Sequence, residues 1–171
     1  MKRIKAIAPL TLAAGLLGLT ACGESGDLPD GELQPGQWRI NVAVTDFDLP
    51  NATPEQAEQA RQGAGVGTSQ SQEQCMGSAE AKISLAQLPL TIMSDSDCSL
   101  SDYSVEGGEL SGTMTCKVPD IETPAEYDIS GQYDPQSFTM VLAGELTSDA
   151  FPGGKATMDM TTEASRLGDC E

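Results

Sequence analysis

From residue 36 onward the chain alternates. Trp38, Ile40, Val42 and Val44 fall on one parity, and Arg39, Asn41, Ala43 and Thr45 on the other. Period two with β-branched apolar positions marks a strand with one buried face. The pattern changes at Thr53-Pro54-Glu55-Gln56. Threonine caps, proline suits the first helical position, and Gln56 completes a capping box. A short helix is therefore predicted to end near Gly63, with Ala57, Ala60 and Ala64 as a thin apolar face. Val66 to Cys75 is polar on both parities and reads as a weakly patterned strand. Ser78 caps a second short helix carrying Ile83, Leu85 and Leu88, and Pro89 is expected to stop it.

Past Cys98 the alternation is more regular. Leu110, Gly112, Met114, Cys116 and Val118 share one parity, with Ser111, Thr113, Thr115 and Lys117 between them. Tyr127 and Ile129 belong to a further strand, and Asp134-Pro135 turns the chain. Phe138, Met140, Leu142, Gly144 and Leu146 line one face of the next strand, and Ala156, Met158, Met160 and Thr162 one face of the last. Six or seven antiparallel strands joined by short connections, with two short helices early, make a mainly β fold. One apolar face per strand forces the meander to curl over its own core, as a half-barrel or a small barrel.

The chain begins differently. Lys2, Arg3 and Lys5 precede an apolar run from Ala6 to Leu19, broken only by Thr11. Such a run is too short for a spanning helix, which needs roughly 20 residues, and has the form of a secretory leader. Leu19-Thr20-Ala21-Cys22 closes it in the manner of a bacterial lipobox. Small residues admit the peptidase, and the Cys22 thiol accepts diacylglycerol. The alternative is an ordinary secretory leader with an incidental cysteine. On the lipobox reading residues 1–21 are removed, and palmitate-type acyl chains on Cys22 hold the protein in a lipid bilayer, since two or more chains anchor stably. Residues 22–34, acidic and rich in Gly and Pro, read as a disordered tether, and residues 35–171 as a single β-rich domain. Gly23 is not the Asp that retains some lipoproteins at the inner membrane. The periplasmic side of the outer membrane is therefore the expected location.

Charge narrows the partners. The chain has 26 acidic residues against 9 basic, a net charge of −17, and three of the nine basic residues lie in the leader. Nucleic-acid binding is excluded, because no basic patch exists to neutralise phosphates. Without Cys22, four cysteines remain: Cys75, Cys98, Cys116 and Cys170. In an exported chain they read as two disulfides, for which three connectivities exist. The pairing expected is Cys98–Cys116 with Cys75–Cys170. A two-residue hairpin loop at Gly107-Gly108 would set Ser99 against Cys116 and leave Cys98 one step out. A three-residue loop, Glu106-Gly107-Gly108 with Gly108 in a bulge, sets Cys98 opposite Cys116, and the longer loop is predicted. Zinc is the rival use of these cysteines, but the chain has no CxxC and no His.

Several of these features resemble the family DUF3617. Its opening matches Pro35-Gly36-Gln37-Trp38-Arg39-Ile40, and its close matches Arg166-Leu167-Gly168-Asp169-Cys170. Between them lie Cys75 followed by a helix, the pair Cys98 and Cys116, and Gly131-x-Tyr133. The resemblance spans most of residues 34–171. It implies an exported, often lipidated protein with a small β-rich fold, and supplies no catalytic residues.

Chemistry in the remaining residues is sparse. Absence of His removes the commonest general base, and no GxSxG elbow occurs. No catalytic residue, metal site or cofactor is expected. Asp95, Asp97 and Asp102 flank Cys98 as hard oxygen groups suited to Ca²⁺, without EF-hand spacing; a solvated loop is the plainer reading. Met114, Met140, Met158 and Met160 fall on inward faces, where thioethers fill core gaps or, as the alternative, bind Cu(I). The expected role is a non-enzymatic envelope lipoprotein acting through a protein partner. The alternatives are a carrier of a small apolar ligand in the sheet interior and a divalent-cation binder. Mass spectrometry of protein from the native envelope should find Cys22 as a diacylglyceryl-modified amino terminus, and Cys22→Ser should leave the precursor uncleaved. An intact Met1 terminus on the native protein contradicts the reading.

Overall fold

The computed structural model describes residues 30–94, 96–117 and 123–171. The expectations for the leader, for Cys22 and residues 23–29, and for Asp95 and Val118 lie outside those residues.

Strand β1 (Gly36–Asp48) is followed by α1 (Pro54–Gly63), β2 (Ser69–Met76) and α2 (Ser78–Ile92). Five strands come next: β3 (Asp97–Glu106), β4 (Glu109–Lys117), β5 (Ala125–Asp134), β6 (Ser137–Thr147) and β7 (Lys155–Gly168). All seven form one antiparallel sheet in the order β2-β1-β7-β6-β5-β4-β3. The meander from β3 to β7 thus ends beside β1, so the last strand pairs with the first. The sheet does not close. Of the two forms expected, the chain adopts the open one, with β2 and β3 as edges.

Alternation builds the core on one face. Trp38, Ile40, Leu110, Met114, Tyr127, Ile129, Phe138, Met140 and Leu142 are all buried there, with Trp38 and Met140 fully so. Met158 and Met160 are only partly buried. Register keeps the methionines of β6 and β7 out of direct opposition: Met140 faces Thr162, Leu142 faces Met160 and Gly144 faces Met158. Fully burying each large apolar side chain stabilises by roughly 1.5–3 kcal/mol, which explains why so few aromatics suffice.

The two ends of the domain meet in a clasp between β1 and β7. Gln37 pairs with Gly168 and Trp38 with Arg166, across a register shift. Arg166 Nε donates to the Pro35 carbonyl at 2.8 Å, and its guanidinium also holds the Asp169 carboxylate. Trp38 Nε1 donates to the Gln34 carbonyl at 3.0 Å, which satisfies the one polar atom of a fully buried ring. Gly36, at φ +150°, has no room for a side chain: a Cβ there would lie 2.3 Å from the Gly168 carbonyl and 2.5 Å from Arg166 Nε. Cys75 and Cys170 then bond β2 to the tail, with Cα atoms 5.6 Å apart. Cys98 and Cys116 are bonded across the β3–β4 hairpin, with Cα atoms 4.0 Å apart. In the chain-entropy picture such bonds contribute on the order of 3–5 kcal/mol each, more for the longer loop.

Three expectations are corrected. First, residues 30–34 belong to the fold, not to the tether. Leu33 is 1% exposed, its N–H donates to the Ala81 carbonyl at 3.2 Å, and the Gly31 N–H reaches the Tyr133 hydroxyl at 3.0 Å. An acidic segment with one leucine reads as disorder until the pocket for that leucine is known. Second, the β3–β4 hairpin has the short loop. Glu106 pairs with Glu109 around Gly107-Gly108, whose φ values of 61° and 84° suit the tight turn. The additional residue sits instead in a bulge between Ser101 and Ser104, with Asp102 at φ 50°. That bulge is what brings Cys98 opposite Cys116. Third, α2 starts after Gly77 rather than Ser78, with Glu80 accepting from the Gly77 N–H at 2.9 Å, and it runs through Pro89 to Ile92.

Gly36→Ala should destabilise the domain by about 2–3 kcal/mol, because strain and a clash with backbone add. Urea unfolding checks it, with Gly63→Ala as control, since nothing lies within 4 Å of the Cβ it would gain.

Candidate functional site

Helix α2 lies over the inner face of the sheet. Its buried positions, Ala81, Leu85 and Pro89, are spaced four apart and form one stripe. Two hydrogen bonds from outside the helix fix it. Leu33 N–H reaches the Ala81 carbonyl, and the Tyr103 hydroxyl donates to the Leu85 carbonyl at 2.7 Å. The second bond explains how the helix survives its proline. Pro89 has no N–H to give the carbonyl four residues back, which is that of Leu85, and Tyr103 supplies the missing donor. The β3 bulge brings Tyr103 to that position, with its ring lying against Gly112, where a Cβ would come within 3.0 Å of Tyr103 Cδ2. Bulges re-aim side chains in this way.

Beyond Pro89 the helix stands away from β1 and β2 and leaves a groove of about 920 Å³. Ile40, Val42 and Val44 of β1, with Met160 of β7, make its floor; Leu88, Thr91, Ile92 and Ser94 make its roof. The turn Gly63-Ala64-Gly65 closes one end. The wall is a row of glutamines. Register sets Gln70 against Val42, Gln72 against Ile40 and Gln74 against Trp38, so all three amides lie on the inner face, and all three residues are exposed. No Asp, Glu, Lys or Arg lines the groove among the described residues. Neighbouring charges are turned elsewhere: Arg39 and Glu73, on the opposite parity, pair with each other at 2.7 Å, and Arg61 holds Asp46 at 2.6 Å. What remains is a cleft with an apolar floor and a wall of neutral donors and acceptors, within the size range of about 300–1,000 Å³ usual for ligand pockets.

The residues singled out from sequence have other places. Cys22 and Asp95 are outside the described residues. Asp97 pairs with Lys117 at 3.1 Å, and Asp102 occupies the bulge. Among the described residues no three His, Cys, Asp or Glu side chains gather where a metal ion could be held. Met160 alone of the four methionines reaches the groove. A second, smaller hollow of about 270 Å³ beside Tyr133 and Asp134 involves a carboxylate already committed to its turn. The Ser137 hydroxyl, with the Gln136 and Ser137 N–H groups, holds the Asp134 carboxyl below the usual range against a smaller opposing effect of burial. The glutamine row was missed as a wall of a site. Its signal was present: in Gln70-Ser71-Gln72-Glu73-Gln74 the glutamines recur with period two.

A small, disulfide-stapled open sheet with a helix laid across its inner face, and an uncharged cleft beneath that helix, is the class that fold and site define. The chain belongs to the family DUF3617, described as a protein of unknown function, whose model matches residues 33–170. That span takes in both halves of the clasp, the groove and all four bonded cysteines. Comparison with curated proteins and with solved structures finds no match. No helix among the described residues is long and apolar enough to cross a membrane.

Burial pushes the Tyr103 phenol up to about 12 from 10.0, and burial raises Tyr127 as well. Because the folded value exceeds the unfolded one, the neutral phenol's contribution is complete below pH 10 and lost as pH rises towards 12. Urea unfolding should show stability falling across that window. Tyr103→Phe should be less stable by about 1–2 kcal/mol at neutral pH, since the Leu85 carbonyl loses its donor, and should flatten part of the alkaline fall.

Proposed function

We propose that this protein is a lipid-anchored component of the bacterial envelope that holds a neutral, largely apolar small molecule in the groove under α2. One observation carries the ligand reading: in a chain of 26 acidic residues, a groove of about 920 Å³ has no charged side chain among the described residues that line it. A charged ligand would leave its hydration shell with no counter-charge to meet it. A neutral molecule gains from Ile40, Val42, Leu88 and Ile92, while Gln70, Gln72 and Gln74 answer whatever polar edge it carries. Among the described residues the lining offers amides, hydroxyls and apolar side chains, groups that suit the binding of a neutral molecule. The anchor reading is supported by the lipobox at Leu19–Cys22 and by two bonded cysteine pairs, which belong to oxidising compartments.

Two dyes that share one carbon skeleton test the ligand reading. N-phenyl-1-naphthylamine is neutral, and 8-anilinonaphthalene-1-sulfonate adds a single negative charge. On the chain from residue 22 onward, made soluble by Cys22→Ser, the neutral dye should bind at least about tenfold more tightly, a difference of about 1.4 kcal/mol. Gln72→Lys, an exposed change that need not disturb the core, should invert the preference. Equal binding of the two dyes, or a preference that Gln72→Lys leaves untouched, would overturn the proposal.

A further inference from the structure

The two edges of the sheet are built differently. Edge β3 carries the devices that prevent strand addition: a register shift between Ser101 and Ser104, a left-handed, acidic Asp102, and acidic Glu106. Edge β2 has neither a register shift nor a left-handed residue. Its eight residues pair with β1 without a register shift, and it contains no proline. Ser69 to Cys75 are all exposed, and among the described residues no strand lies on its outer side. Its single charge, Glu73, is neutralised by Arg39. The Cys75–Cys170 bond fixes the far end to the tail, so the edge is held ready. A regular edge of this length exposes about 26 Å of backbone with unpaired donors and acceptors.

We propose that the outer edge of β2 is a strand-addition site for an extended segment of a partner protein, with an uncharged centre and basic flanks. Main-chain hydrogen bonds supply affinity in this mode, and alternate side chains supply selectivity. One parity of the incoming strand would lie beside Gln70, Gln72 and Gln74, the other beside Ser71 and the paired Glu73. The uncharged centre matches that surface. The basic flanks match the molecule around it, which has a net charge of −17. The same charge argues against a second copy as the occupant, because two such copies repel when brought edge to edge. This site is separate from the dye-binding test of the groove, and either can fail alone.

The probe is an eight-residue peptide of alternating Thr and Val with Lys at each end, together with a twin N-methylated at every central amide. Both are titrated into the chain from residue 22 onward carrying Cys22→Ser, with both disulfides formed, and followed by backbone amide NMR. The first peptide should shift the amides of Ser69–Met76 while leaving β3 unmoved. The twin, which cannot donate along the ladder, should bind at least about tenfold more weakly. Ser71→Pro should abolish the effect, with its melting curve reported alongside; the twin keeps the test decisive if that variant unfolds. No shift up to about 1 mM peptide, equal binding of the twin, shifts centred on β3, or a peptide-free dimer through β2 would each overturn the proposal.

Discussion

The pairing of the first strand with the last is the constraint on which the rest of this structure depends. β1 and β7 are separated by most of the folded chain, yet they run together from Gln37–Gly168 to Asp48–Thr157. Bringing such distant segments together is entropically costly, and the penalty grows only slowly with loop length, so what matters is the quality of the join. Here it is locked at one end by the Arg166 guanidinium against the Pro35 carbonyl, by a glycine where no side chain fits, and by a tryptophan whose polar atom is satisfied within the same turn of chain. Pro35–Ile40 and Arg166–Cys170, the opening and closing stretches singled out in the sequence, are the two halves of this one contact.

The groove follows from that join. Only with β1 seated beside β7 does β2 become the edge of the sheet, with its glutamines on the inner face. The roof has a separate origin at the opposite edge. One inserted residue at Asp102 sets the disulfide register and also brings Tyr103 to the Leu85 carbonyl. That bond replaces the donor Pro89 lacks, and α2 runs on to Ile92, adding Thr91 and Ile92 to Leu88 at the cleft. The helix is therefore short of one internal hydrogen bond at the point where it leaves the sheet.

Much of this was legible in the sequence, because it is local. The alternation in β1, β4, β6 and β7 and the capping box at Thr53 each depend on neighbours within a few residues. The expected cysteine pairs are the ones that lie at bonding distance, although the reason assigned to the hairpin was wrong: the additional residue is in the strand, not in the loop. What was not legible depends on distant partners. Nothing near Pro89 announces that a tyrosine fourteen positions later will donate to the freed carbonyl. Nothing in residues 30–34 shows that Leu33 has a place among Ala81 and its neighbours. The glutamines of β2 are polar on a face that is apolar in the other strands, and only the register with Ile40 and Val42 turns them into the wall of a cleft.

Residue-resolved hydrogen exchange under native conditions tests the central claim most directly. If the β1–β7 ladder closes the fold, the amides that bond these two strands exchange only through global unfolding, as slowly as those between β5 and β6, while the outer amides of β2 exchange quickly. Exchange of the β1–β7 amides by local opening, with β4 to β6 still protected, would show that the sheet stands without that join and would contradict the account.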